Sequence, residues 1–206
     1  AQESHGSLFE MPLAGRTNEL EQLGRMLDGV LTGRGRLVTL QGPTGIGKSH
    51  LISVFRQYAG ANGFQTVTGS SQRIFQSTTY YPWQQIIRQI FGLNERVASA
   101  EGEIDAADQI ATLESILTQM NQDWQIRLPL LGDLLGLPIP DNPTTAAFDP
   151  KQRQESLFAF VVEILRAWSH SQPLLLVFEN AHWLDEPSHN LLEVLAKATS
   201  DVAIMV

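Results

Sequence analysis

The stretch "GPTGIGKS", from Gly42 to Ser49, constrains the fold of this chain more than any other. It fits the pattern G-x-x-x-x-G-K-[ST]. It follows the short β-branched run 37–41, "LVTLQ", and it opens the segment 49–59, whose apolar residues recur at helical spacing. A strand, a glycine-rich loop and a helix in this order place backbone N–H groups and a helix N-terminus around phosphate oxygens. The sequence therefore predicts a nucleotide-binding loop.

The residue types of this loop match the chemistry of a bound nucleotide. By the logic of this motif, the ammonium group of Lys48 is expected to reach the β- and γ-phosphates, and the hydroxyl group of Ser49 is expected to be a ligand for Mg²⁺. The loop recognises phosphates and not the base, so it does not by itself separate ATP from GTP. The candidate nucleotide contacts are Gly42, Pro43, Thr44, Gly45, Ile46, Gly47, Lys48, Ser49 and His50.

The apolar patterns outside the loop alternate between helical spacing and short apolar runs. Short apolar runs without polar alternation are typical of strands in a parallel sheet that is covered on both faces. The expected fold class is therefore α/β, a three-layer P-loop NTPase fold with a parallel sheet. Helices are predicted over 17–31, 49–59, from Lys151 to about 168, and over 185–198; strands are predicted over 37–41, 64–69, 174–178 and 202–206.

Residues from about 70 to 150 interrupt this alternation. They contain the aromatic cluster "YYPW" (80–83), helical patterns near 83–91 and 104–120, and the proline-rich stretch 128–143. We predict a mostly helical insertion between the second strand and the strand 174–178. Because the aromatic cluster has no basic neighbours, it is expected to be core or an interaction surface of the insertion rather than a platform for bases.

Composition narrows the possible partners and locations. Lys and Arg total 14 against 22 Asp and Glu, so the net charge of −8 disfavours nucleic acid as a ligand. No apolar run approaches the roughly 20 residues of a membrane span, and the absence of cysteine fits a reducing, cytoplasmic setting. Residues 1–12 are expected to be a flexible tail ahead of a P-loop domain over 13–206.

A second candidate site lies in "LLLVFENAHWLDE", residues 174–186. Its apolar run predicts a buried strand next to the loop, and Glu179 supplies at its end the carboxylate that holds Mg²⁺ through water. ATPases that activate water internally carry a further carboxylate beside it. Here Asn180 stands at that position.

The amide of Asn180 is nearly isosteric with a carboxylate, but it cannot accept a proton. One interpretation is slow hydrolysis with nucleotide binding preserved; the other is a mild change, because another group positions the water or because turnover is slow in any case. The candidate catalytic residues are thus Lys48, Glu179 and the degenerate position Asn180, and the candidate metal ligands are Ser49 and Glu179. Asp185 is predicted to be an N-cap, and His182 and Trp183 are predicted to pack.

Several stretches together resemble one family. They are "LAGRTNELEQL" before the loop, "GPTGIGKSHLI", "YYPWQQII", "LPLLGDLLGLPIPDN" and "PLLLVFENAHWLDEPS". In these the chain resembles the signal-transducing, STAND-like AAA-type ATPase modules of large bacterial regulators, from Leu13 onward. Such modules are often joined to class III adenylate or guanylate cyclase domains and to tetratricopeptide repeats.

The resemblance implies more than the loop alone. It favours ATP over GTP, with ATP or ADP and Mg²⁺ as cofactors, and it makes Leu13, Ala14 and Arg16 candidate contacts on the base side. Alternatively, Arg16 only flanks the start of the first helix. It also implies that 202–206 is the fourth of five strands, and that the fifth strand and the helical lid lie beyond this chain. These modules usually end the strand with Glu-Asp, so Asn180 departs from their pattern.

Two functions remain open from the sequence. The first is a regulatory ATPase switch that reports its nucleotide state to covalently attached signalling or repeat domains, with self-association possible. The second is a nucleotide sensor or structural ATP/ADP-binding module without useful turnover. A DNA-loading ATPase is discouraged by the acidic balance, and neither nucleic acid nor membrane is expected as a partner of this segment.

Overall fold

The computed structural model describes residues 15–75, 78–93, 106–199 and 202–206. Leu13, Ala14 and the predicted flexible tail 1–12 lie outside the described residues. The helices are α1 (Thr17–Leu31), α2 (Lys48–Ala61), α3 (Tyr81–Ile90), α4 (Ala106–Met120), α5 (Leu128–Leu135), α6 (Pro150–Ser171) and α7 (Glu186–Ala198). The strands are β1 (Gln65–Ser70), β2 (Leu174–Glu179) and β3 (Ile204–Met205). Short 3-10 turns cover Arg73–Phe75, Gln122–Arg127, Thr145–Ala147 and Ala181–Trp183.

These strands form one parallel sheet in the order β1-β2-β3. Leu174 pairs with Ile204 and Leu175 with Met205. Along β1 and β2, later donors on one strand bond to later acceptors on the other, so both strands run in the same direction. This is the hydrogen-bond pattern of a parallel pair. The α/β fold class predicted from the sequence is confirmed.

The strand predicted over 37–41 is wrong in its extent. Arg36 makes a parallel bridge with Met205, and the Val38 N–H donates to the carbonyl oxygen of Val206 at 2.8 Å. Residues 37–41 do not form a regular strand. This pairing also places β3 between the segment that enters the loop and β2.

The chain divides into two compact units. The first comprises Ala1–Thr66, Trp168–Val177 and Leu195–Val206; the second comprises Val67–Ala167 and Phe178–Val194. The core of the first unit consists of apolar side chains from α1, α2, the strands and the residue that precedes β1. Burial of each large apolar side chain contributes about 1.5–3 kcal/mol to the free energy of unfolding. The buried members of this core are Leu20, Leu27, Val30, Leu51, Val54, Phe55, Tyr58, Ala59, Phe64, Leu175 and Met205.

Helices make up the regular structure of the second unit between β1 and β2, within the described residues, as the sequence predicted for the insertion. The aromatic and aliphatic residues of α3 pack inward; Trp83, Ile86 and Ile87 are fully buried. The Arg88 guanidinium donates to the carbonyl oxygen of Leu135 at 2.9 Å, and burial lowers its pKa. This bond ties α3 to the end of α5.

Helix α6 begins where a capping box forms. The Gln152 N–H donates to Asp149 Oδ1 at 2.8 Å, and the Asp149 N–H donates to Gln152 Oε1 at 3.0 Å. Pro150 occupies the first helical position, where its missing N–H costs nothing. None of the helices in the described part of the chain combines the length and the apolar composition that crossing a bilayer requires.

Candidate functional site

The loop from Gly42 to Gly47 is exposed on the first unit. Gly45 and Gly47 have φ angles of +81° and +91°, which side chains rarely allow. The first hydrogen bond of α2 runs from the Leu51 N–H to the carbonyl oxygen of Gly47 at 3.0 Å. The earlier N–H groups of the helix therefore have no intrahelical acceptor, and they carry the positive end of the helix dipole. This is the geometry of an anion-binding site.

Lys48 lies across the beginning of the loop. Its ammonium group donates to the carbonyl oxygens of Gly42 and Pro43, both at 2.8 Å. A Cβ atom on Gly42 would stand 3.3 Å from the side chain of Ile46 and 3.9 Å from Lys48 Cδ, so the absence of a side chain lets the loop close tightly. Ser49 and His50 follow on the first turn of α2 with exposed side chains.

Arg16 contacts the loop backbone. Its Nη2 donates to the carbonyl oxygen of Ile46 at 2.6 Å, and its Nη1 donates to Glu19 Oε1 at 3.1 Å. Arg16 is also the N-cap residue of α1, although its side chain does not cap the helix. No local sequence signal pairs residues so far apart in the chain. The first unit therefore brings Arg16, Ile46, Gly42 and Lys48 together.

The remaining candidate residues, Glu179 and Asn180, belong to the second unit and lie at the end of β2. Glu179 ends β2 with a half-buried side chain, and its carbonyl oxygen accepts from the Ser71 N–H at 3.0 Å. Asn180 is exposed and has a φ angle of +57°, in the left-handed region. Asparagine is among the few residues that tolerate this conformation. The backbone conformation alone therefore favours asparagine at position 180, whether or not its side chain takes part in chemistry.

Asp185 connects two helix starts in the second unit. Its Oδ1 accepts from the Ser188 N–H at 3.0 Å, which confirms the predicted N-cap of α7, and from the Tyr80 N–H at 3.3 Å. Its Oδ2 accepts from the Ser188 hydroxyl at 2.6 Å. Tyr80 precedes α3 with a φ angle of +62°, which is unusual for a large side chain. Asp185 therefore holds a strained residue in place.

The aromatic cluster packs beside this carboxylate. The Trp83 Nε1 donates to the carbonyl oxygen of Ser188 at 3.0 Å, and its ring meets Phe178 at 4.9 Å. Burial raises the pKa of the Tyr80 hydroxyl, and nearby Asp185 raises it further. Tyr80 and Trp83 are buried, so the cluster is core rather than a platform for bases. Trp183 is half-buried with the Arg73 guanidinium 6.0 Å from its ring centre, whereas His182 is exposed.

Replacing Asp185 by alanine is expected to destabilise the protein by about 2–4 kcal/mol, because it removes an N-cap and leaves the Tyr80 N–H and the buried Ser188 hydroxyl without their acceptor. Urea unfolding followed by circular dichroism measures the loss. Glu186→Ala, at an exposed neighbour, is the control and should cost about 0.5 kcal/mol or less. Equal midpoints for the two variants would contradict this role.

The residues present fit a nucleotide with Mg²⁺. The start of α2 combines backbone N–H groups, a lysine and a serine hydroxyl. The N–H groups and the lysine suit phosphate, and the hydroxyl suits Mg²⁺. The described residues contain no group of three or more His, Cys, Asp or Glu side chains that could hold a metal ion. Magnesium sites of this class draw most of their ligands from phosphates and water, so such a group is not needed.

Comparison with known proteins decides the family. The profile of the AAA ATPase domain matches residues 12–206. This chain belongs to the AAA ATPase domain family. The P-loop fold and a nucleotide-binding ATPase module follow from that membership, whereas the finer resemblance to STAND-like regulators with repeats stays a prediction.

Relatives of this AAA ATPase domain are much longer than the chain. It is 28% identical over 202 residues to an uncharacterized protein of Rhizobium meliloti (strain 1021), covering 95% of the chain and 18% of that protein. It is 19% identical over 195 residues to adenylate cyclase type 10 of Oryctolagus cuniculus, and 19% identical over 197 residues to that of Homo sapiens. These matches cover 94% and 95% of the chain but 12% of each cyclase. No solved structure matches significantly.

Proposed function

We propose that this AAA ATPase domain is the ATP-binding module of a regulatory switch in which hydrolysis is slow. The observation that carries the proposal is the loop geometry. The Lys48 ammonium group donates to the carbonyl oxygens of Gly42 and Pro43, and the start of α2 directly follows the loop at Gly47. Arg16 fixes the same loop through the carbonyl oxygen of Ile46. A nucleotide bound there would be held by Gly42 to His50, with Leu13, Ala14 and Arg16 on the base side.

Magnesium belongs to the proposed site. Ser49 would ligate Mg²⁺ directly, and Glu179 would hold it through water. The ion would neutralise the charge that develops on the β- and γ-phosphates. Lys48 would bind the same phosphates, and these residues orient the nucleotide whether or not it is turned over.

Slow hydrolysis is proposed because Asn180 replaces a carboxylate that would accept the proton of the attacking water. An amide can orient that water by hydrogen bonding, but it takes up no proton near neutral pH. Loss of a general base typically slows a reaction by about 10²- to 10⁴-fold. Binding and release of ATP and ADP, rather than rapid turnover, would then set the state of the switch.

A second function is a sensor or structural module that binds ATP or ADP without turnover. Asn180 also favours this function, because its left-handed conformation suits asparagine even where no chemistry occurs. The two functions use the same proposed nucleotide-binding loop. They differ in whether any phosphate is released in a single turnover.

The setting in a larger protein is also a proposal. The chain spans less than a fifth of the length of the relatives reported above, two of which are named adenylate cyclases. Covalently attached signalling or repeat domains would read the nucleotide state, and copies of the module would associate. We propose a cytoplasmic location without nucleic acid or membrane as a partner of this segment, in keeping with the net charge of −8.

Equilibrium binding of ATP, ADP and GTP to the intact protein, with Mg²⁺ and with EDTA, tests the proposal. We expect ATP to bind at least about tenfold tighter than GTP, and Mg²⁺ to strengthen ATP binding by about tenfold through charge-assisted contacts. Ser49→Ala should remove most of the Mg²⁺ effect, whereas Ser171→Ala, at an exposed serine of the same unit, should keep it. Equal affinity for ATP and GTP would contradict the choice of ATP, and an unchanged Mg²⁺ effect in Ser49→Ala would contradict the ligand.

A further inference from the structure

A small cavity opens in the first unit between α2 and β1, away from the loop. Its volume is about 290 Å³, and Ser53, Arg56, Gln57 and Thr66 line it. The three α2 residues recur at helical spacing and form one polar face, while the opposite face carries the buried residues of that helix. Ser53 and Gln57 are exposed, so the cavity is open to solvent.

Arg56 gives the cavity its charge. Its side chain is half-buried, and its Nε–H is buried without a hydrogen-bond partner among the described residues. A buried donor without an acceptor is costly, and a charged one more so. Among the residues that the structure describes, no carboxylate lines the cavity to pair with the guanidinium. An oxyanion in the cavity would supply the missing acceptor.

We propose that this cavity binds a phosphate group. Every lining side chain can donate: the guanidinium through several N–H groups, Ser53 and Thr66 through hydroxyls, and Gln57 through its amide. A carboxylate presents two oxygens in one plane, whereas a phosphate presents at least three in different directions. The donors of this cavity come from two directions, from α2 and from β1. They therefore suit the oxygens of a phosphate better than the two coplanar oxygens of a carboxylate.

The phosphate cavity is distinct from the nucleotide loop. Lys48 begins α2, and Arg56 lies roughly 12 Å further along the helix axis at 1.5 Å per residue. That separation exceeds the Debye length of about 8 Å at physiological salt. Phosphate binding in the cavity should therefore leave the affinity of the loop for ATP within about twofold.

Phosphate binding is best measured in the intact protein carrying Lys48→Ala, so that the loop does not contribute. Isothermal titration with inorganic phosphate should show saturable binding that Arg56→Met weakens by about tenfold or more, since charge-assisted hydrogen bonds are lost. Arg34→Met, at an exposed arginine of the same unit, removes the same charge and should leave binding unchanged. Arg56→Lys, which keeps the charge but not the planar fork, should give an intermediate loss.

Two further readouts complete the experiment. Without phosphate, Arg56→Met should unfold at the same temperature as the parent or higher, because it removes a buried donor that has no acceptor. The same titration with ATP distinguishes two ligands of the cavity. If Arg56→Met weakens ATP binding in the Lys48→Ala protein, the cavity binds the phosphate of a nucleotide. If Arg56→Met weakens the binding of inorganic phosphate alone, the cavity binds free phosphate. Equal phosphate binding by Arg56→Met and Arg34→Met, or competition by acetate as effective as phosphate, would overturn the proposal.

Discussion

Replacing Lys48 by alanine is expected to weaken the binding of both ATP and ADP to the intact protein by about 100-fold or more. The ammonium group lies 2.8 Å from two carbonyl oxygens at the beginning of the loop. In the proposed site it would bind the β- and γ-phosphates of the nucleotide. Its removal takes away the positive charge and leaves those carbonyl oxygens without their donor. Fluorescence titration with a labelled nucleotide measures the effect.

Two variants separate the charge of Lys48 from its packing. Lys48→Met keeps most of the aliphatic stem and should lose affinity as Lys48→Ala does, because the stem contributes little to phosphate binding. Lys197→Ala, at an exposed position on α7, should bind both nucleotides normally. Tight binding retained by both Lys48 variants would refute the assignment of the loop.

Replacing Asn180 by aspartate is expected to raise single-turnover ATP hydrolysis by about 10²- to 10⁴-fold with little change in affinity. The new carboxylate would accept the proton of the attacking water, which the amide does not. Aspartate also tolerates the left-handed conformation of this position, so the backbone need not move. Release of labelled phosphate from preloaded enzyme measures the rate.

Asn180→Gly is the matched control for this experiment. Glycine adopts the φ angle of +57° without strain but brings no carboxylate. It should leave hydrolysis as slow as in the parent protein, which would separate general-base chemistry from relief of backbone strain. Equal rates for the parent and Asn180→Asp would show that Asn180 does not limit turnover, and would favour the sensor without turnover if both rates are negligible.

The local elements of this fold could be predicted because each carries its own signal. The α1 bounds of Thr17–Leu31 follow from apolar spacing, and the start of α7 follows from Asp185 as its cap. The strand over 37–41 was predicted from its β-branched pattern, but a local pattern does not fix where pairing begins. In the part of the chain that the structure describes, the bridge to Met205 lies at Arg36, and the Val38 N–H donates to Val206.

The sequence predicted only the part of the candidate site whose residues are neighbours in the chain. The glycines, Lys48 and Ser49 stand close together in the sequence, so the role proposed for them can be inferred from the sequence alone. The contact of Arg16 with the loop, the bond between Asp185 and Tyr80, and the cavity at Arg56 join distant segments. No periodicity encodes such contacts, because they depend on how elements pack after they form.

The sequence by itself determined that this chain is an α/β domain with a phosphate-binding loop, because glycine freedom, lysine charge and helix starts are properties of neighbouring residues. Tertiary structure alone decided that β3 separates the entering segment from β2, and that Arg16 fixes the loop. It also gave Asn180 a left-handed backbone. These features arise from long-range hydrogen bonding and packing, which select one arrangement among many that the same local pattern allows.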